Sequence, residues 1–172
     1  MTLQRYVCAF ALTVFVSAAG TSAVIADGTA VSPVSRVEVV LANQFKNQVT
    51  AVSEEFAQAG LTNVHFQFAR LGQPPQNIGF GRDVPADKAR EAIRLALKYN
   101  LGVGILLPER LFPPRFVTIA SSNYDDTVES KIDQAALVQL QNPALSTAEF
   151  HELYRTLTAV PSALPGRFSG RY

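Results

Sequence analysis

The stretch RVEVVLANQFKNQVTAVSEEFAQAGLTNVHFQFAR, residues 36–70, decides the fold. Val37, Val39 and Leu41 alternate with Glu38, Val40 and Ala42, the period of two of a half-buried strand. Asn43 can then cap a helix, in which Phe45, Val49, Val52 and Phe56 recur at helical spacing while Lys46, Gln48, Glu54 and Glu55 face elsewhere. Gly60 ends it as a left-handed cap would. In residues 63–70 Val64, Phe66 and Phe68 alternate with His65, Gln67 and Ala69, which is a second strand. The stretch is a strand–helix–strand unit.

The same order follows downstream. LGQPP (71–75) is a turn, and NIGFG (77–81) is a third, shorter strand with Ile78 and Phe80 on one face. Pro85 suits the first turn of a helix capped at Asp83 or Val84. Ala89, Ile93, Ala96 and Leu97 make its expected buried stripe. Arg90, Arg94 and Lys98 lie toward the negative end of its dipole. VGILL (103–107) and FVTIA (116–120) are a fourth and fifth strand around the proline-bounded loop PERLFPP. Asp126 with Glu129 is a capping-box pattern predicting a helix through Leu140, broken at Asn142-Pro143. Ser146 with Glu149 repeats the box before a helix carrying Phe150, Leu153, Tyr154 and Leu157.

This order predicts an α+β domain, ferredoxin-like, with a βαββαβ sheet, a fifth strand and a helical C-terminal extension. Strands one and three should lie in the middle of an antiparallel sheet, with both first helices on one side. The fifth strand should extend an edge, with the last helices over it or over the opposite face. In element order and in the VEVVLAN and NIGFG patterns, residues 36–107 resemble small exported modules. These are the SPOR domain, which binds peptidoglycan, and the C-terminal domain of LytR-type cell-envelope proteins. The topology hosts many functions, so no functional residue is transferred from either family.

Residues 1–26 carry the parts of an export signal: Arg5, the uncharged apolar run YVCAFALTVFVSAA (6–19), Gly20, and small residues up to Ala26. Val24-Ile25-Ala26 fits cleavage before Asp27, with cleavage after Ala23 as the alternative. The apolar run is shorter than the about 20 residues of a membrane span, so no membrane insertion is expected after cleavage. The only cysteine, Cys8, leaves with the signal, which excludes a disulfide or thiolate site in the mature chain. The chain has 15 Lys and Arg against 14 Asp and Glu. Removing Arg5 balances them, which argues against nucleic acid and anionic membrane as partners. The expected segments are a signal peptide (1–26), a linker (27–35), the α+β domain (36–121), a helical extension (122–160) and a disordered tail (161–172). The expected location is periplasmic or secreted.

Alternation places Glu38, His65, Gln67, Asn77 and Gly79 on the sheet face away from the first two helices. This polar, shallow patch suits a sugar or a peptide backbone, so a protein or cell-wall partner is the expected ligand. Polar outward faces are also the default of antiparallel sheets. Asp125, Asp126, Glu129 and His151 offer ligands for a divalent metal or acid–base groups for a small hydrolase, but capping alone accounts for the Asp126–Glu129 spacing. Gly79-Phe80-Gly81 precedes a helix, yet position 84 is Val and no acidic ribose partner follows, so it reads as packing rather than dinucleotide binding. Ser121-Ser122 lacks a G-x-S-x-G elbow and reads as a polar turn. The tail repeats Gly-Arg-aromatic at 166–168 and 170–172, a pattern that can hold a partner or a polymer, but a disordered tail accounts for it better. No catalytic residue, metal ligand or cofactor is assigned, the oligomeric state is left open, and a structural accessory subunit of an envelope assembly is a third reading.

Overall fold

The computed structural model describes residues 34–70, 72–100, 102–123 and 130–159. The expected signal peptide, most of the expected linker, the expected tail and the residues Asp125, Asp126 and Glu129 lie outside the described residues.

The strands are β1 (Arg36–Leu41), β2 (Val64–Phe68), β3 (Asn77–Phe80), β4 (Ile105–Leu107), β5 (Phe116–Ile119) and β6 (Ser130–Lys131); the helices are α1 (Val49–Gln58), α2 (Ala86–Tyr99), α3 (Gln134–Leu140) and α4 (Thr147–Thr158). The expected α+β class, the βαββαβ order, the fifth strand and the C-terminal helices are all present. The strands form one sheet in the order β2-β1-β5-β3-β4-β6. β1 pairs in parallel with β2 and with β5, and β3 in parallel with β4. β3 meets β5, and β4 meets β6, antiparallel.

The pairing therefore differs from the antiparallel arrangement expected of a ferredoxin-like sheet. Each of the first two helices returns the chain to the neighbouring parallel strand, and β5 enters between the two units instead of extending an edge. Burial explains its place. Val117, Thr118 and Ile119 are all buried, and a strand buried on both faces belongs in the middle of a sheet.

One face of the sheet carries Val37, Val39, Leu41, Val117, Ile119, Ile78, Phe80 and Leu106 in register. These residues share one hydrophobic cluster with Val52 and Phe56 of α1, Ile93 and Ala96 of α2, Leu137 and Leu140 of α3, and Phe150 and Tyr154 of α4. All four helices thus pack on the same face. Phe80 sits edge-on to both Phe150 and Tyr154, and the Tyr154 hydroxyl donates to the Leu107 carbonyl at 2.5 Å. The C-terminal helices are integral to the core, not an appendage. Val34, placed in the linker by sequence, is also buried in it.

Local differences have local causes. Residues Asn43–Gln48 form a 3-10 turn, so α1 opens at Val49. Leu97 is 37% exposed, while Ala92, Leu95 and Tyr99 complete the buried side of α2. α3 opens at Gln134, capped by the Asp133 side chain accepting from the Ala136 amide at 2.7 Å. Ser130 and Lys131, inside the stretch expected to be helical, pair instead with β4. The Ser146–Glu149 box is formed as expected, and Gly60 takes its left-handed conformation at φ +76°.

Candidate binding face

The sheet face away from the helices is a ladder of cross-strand neighbours. Its central row runs His65 (β2), Glu38 (β1), Thr118 (β5), Gly79 (β3) and Leu107 (β4). Gln67 stands beside Val40, and Arg36 beside Phe116. Neighbours in such rows lie about 5 Å apart, so the face is continuous. It is polar over β2 and β1 and apolar toward β3 and β4. Among the described residues no α-helix covers it, but Thr118, Gly79 and Leu107 are buried and Phe112 of the β4–β5 loop lies over Gly79, so the face is open over β2 and β1 only.

Three of the five residues predicted from sequence are open on this face. His65 and Gln67 are exposed, and Glu38 is partly so, held by the Arg36 guanidinium at 2.8 Å. Asn77 and Gly79 are not available, which corrects the expected patch. The Asn77 amide donates to the Ser121 carbonyl at 2.9 Å and accepts from the Ser121 amide at 2.8 Å, with the residue 1% exposed. This buried clamp holds the chain where it leaves β5, and Ala120 there takes a left-handed φ of 59°. Ser121 is accordingly a structural turn residue. A Cβ on Gly79 would collide with the ring of Phe112, which the β4–β5 loop folds over the sheet and stacks on Phe116. Gly81 lies against the backbone of Pro113 and Pro114. Both glycines permit close packing, as read from sequence.

Sequence reasoning missed Arg36, Thr118, Phe112 and Phe116 as parts of this face. The alternation of β1 does place Arg36 beside Glu38; no local signal brings Phe112 back over β3. A shallow recess, lined by Glu38, Gln67, Thr118, Ser121, Ser122 and Asn123, lies at the C-terminal ends of β1, β2 and β5. Thr118 at its floor has a buried hydroxyl with no protein partner.

His151 is buried on α4. Its Nδ1 lies 2.6 Å from the Glu109 carboxylate and its Nε2 lies 2.7 Å from the Val84 carbonyl. The Arg155 guanidinium lies 3.8 Å from the same carboxylate. Both ring nitrogens are engaged, so neither is free to exchange a proton with a substrate. The cluster fastens α4 to the β4–β5 loop and to the start of α2. Among the described residues no group of three His, Cys, Asp or Glu could hold a metal ion, and no helix is long and apolar enough to cross a membrane.

A groove of about 650 Å³ between α1, α2 and the α3–α4 turn is lined by Lys88, Arg90 and Arg94. Each of these cations is already committed: Lys88 to the Ala59 carbonyl, Arg90 to the Asn142 and Leu145 carbonyls, and Arg94 to Glu55 and Glu91. They join elements and leave no cluster of free donors for an anion.

Fold and face together define a helix-backed α+β domain whose far sheet surface is open and polar over β2 and β1 and closed over β3 by Phe112. No family model, curated protein or solved structure matches this chain.

Proposed function

We propose that this chain is a non-enzymatic binding module of the bacterial envelope, exported by residues 1–26, that holds a protein or cell-wall partner on the open sheet face. The observation that carries the reading is the one-sided placement of all four helices, which leaves His65, Gln67, Glu38 and Arg36 in register on an uncovered surface. These groups offer donors and acceptors beside the half-buried ring of Phe116, a mixture suited to a sugar or an extended peptide. Engagement of both His151 nitrogens supports a binding role over acid–base catalysis.

The test is sedimentation of the mature protein with purified peptidoglycan sacculi, alongside co-purification from envelope extracts. His65→Ala/Gln67→Ala should keep its melting curve and lose the captured partner. By contrast, Phe66→Ala should cost about 1–3 kcal/mol, less than a fully buried Phe, because its ring is half-buried edge-on against Phe56. Full retention of binding by the double variant, or no capture by the parent protein, would remove the face from consideration.

A further inference from the structure

The two ends of the sheet are built differently. At one end β6 is two residues long, too short to template another strand. At the other end β2 is five residues long and, among the described residues, pairs only with β1. Sheet edges are normally guarded by proline, lysine, a bulge or brevity. The β2 sequence VHFQF has no proline, lysine or other formal charge at neutral pH, and its register with β1 runs without a bulge from Val64 to Phe68.

The pairing also settles which backbone groups point outward. The Val37 amide donates to the Asn63 carbonyl, and the Ala69 amide donates to the Leu41 carbonyl. In a parallel ladder alternate residues serve one neighbour, so residues 63, 65, 67 and 69 bond to β1. The amide and carbonyl groups of Val64, Phe66 and Phe68 face the outer edge, where among the described residues no strand pairs with them. Their side chains lie on the core face and are only half-buried, so apolar surface runs along the same edge.

We infer that this edge pairs with the β2 edge of a second copy of the chain, antiparallel about a twofold axis through Phe66. The segment is self-complementary about that residue. Phe66 meets its own counterpart, Val64 meets Phe68, and His65 meets Gln67. Every apolar side chain thus faces an apolar one, and every polar one a polar one. Extending the register outward sets Asn63 against Ala69 and Thr62 against Arg70, so no like charges oppose. The outward residues are also those that must form the closely hydrogen-bonded pairs of an antiparallel ladder. Val64, Phe66 and Phe68 of each chain then exchange both backbone bonds with the other, and the half-buried rings close over the dyad. The product is one continuous sheet with a two-residue strand at each end. Five paired residues bury less than the roughly 1,200–2,000 Å² of a standard stable interface, so the dimer is a weak one that forms at high protein concentration.

Two measurements on the mature full-length protein test this. Sedimentation equilibrium from micromolar to millimolar concentration should show a reversible monomer–dimer equilibrium. His65→Lys/Gln67→Lys places lysine opposite lysine at two positions on the exposed face and should remain monomeric with an unchanged melting curve. Mixing it with His65→Glu/Gln67→Glu should restore the dimer as a heterodimer. Independently of any variant, raising the concentration should slow hydrogen exchange at the amides of Val64, Phe66 and Phe68 several-fold. The amides of His65 and Gln67, already bonded to β1, should not change. A parent protein that stays monomeric throughout, a lysine variant that dimerises like the parent, or protection that does not follow this alternation would overturn the inference. Neither readout involves the envelope partner, so its outcome is separate from that of the binding reading.

Discussion

His151 shows how far a residue's role can lie from its sequence neighbourhood. Beside Phe150 on an amphipathic helix it reads as a boundary residue, yet it is 5% exposed and held between a carboxylate and a carbonyl. Glu109 and Val84 are 42 and 67 residues away in the chain, and no local pattern announces either. His151→Phe should keep the ring volume while leaving Glu109 and the Val84 carbonyl without their donor. Orphaning buried polar groups typically costs about 2–3 kcal/mol, and a lowered urea midpoint at unchanged slope would report it. An unchanged midpoint would mean that solvent or Arg155 satisfies Glu109 in its place. Glu38, His65 and Gln67, by contrast, were legible as surface residues, because strand alternation alone sends them away from the core. Asn77 and Gly79 obeyed the same alternation and were still lost as ligand groups. A side chain's face is a local property, whereas what lies over that face is not.

At the scale of elements, α1 and α2 are joined by Glu55. Lys98 donates to its carboxylate at 2.5 Å, the Tyr99 hydroxyl donates to the same oxygen, and Arg94 donates to the other at 2.9 Å. These bonds, Lys98 first, then Tyr99 and Arg94, lower its pKa from 4.5 to about 2. The folded value lies below the unfolded one, so the stabilisation is fully present above about pH 4.5 and is lost as the pH falls toward 2. Arg94 and Lys98 are half exposed, and solvent screening reduces the contribution to about 1–2 kcal/mol. Glu55→Gln should therefore lower stability at neutral pH and narrow its gap to the parent protein between about pH 4.5 and 2; parallel stability–pH curves would contradict this. The helix ends divide by the same rule as the residues. The Ser146–Glu149 box and the Gly60 cap were legible because both act within one turn. The start of α3 was not, because pairing of Ser130 and Lys131 with β4 takes that segment into the sheet.

For the whole molecule, the proposed export by residues 1–26 rests on linear sequence alone. N-terminal sequencing of the protein recovered from the periplasm or medium should return Asp27, or Val24 if the earlier site is used; a mature form that still begins at Met1 would exclude export by cleavage. The amino-acid order by itself determined the α+β class, the succession of β1 to β5 with α1, α2 and α4, the side of each of those strands that enters the core, and the Gly60 and Ser146–Glu149 caps. Those features follow from hydrophobic period and from hydrogen bonds closed within a turn or two. It did not show β6, and the caps expected at Asn43 and at Asp83 or Val84 are not formed. Only the tertiary structure decided the sheet order, with β5 between β1 and β3 and all four helices on one face. Strand neighbours are chosen by burying the apolar surface of the entire chain at once, and FVTI carries the same alternation at an edge as in the centre. The open face and the unguarded β2 edge are consequences of that choice. Each exists because other parts of the chain packed elsewhere, which no stretch of sequence records alone.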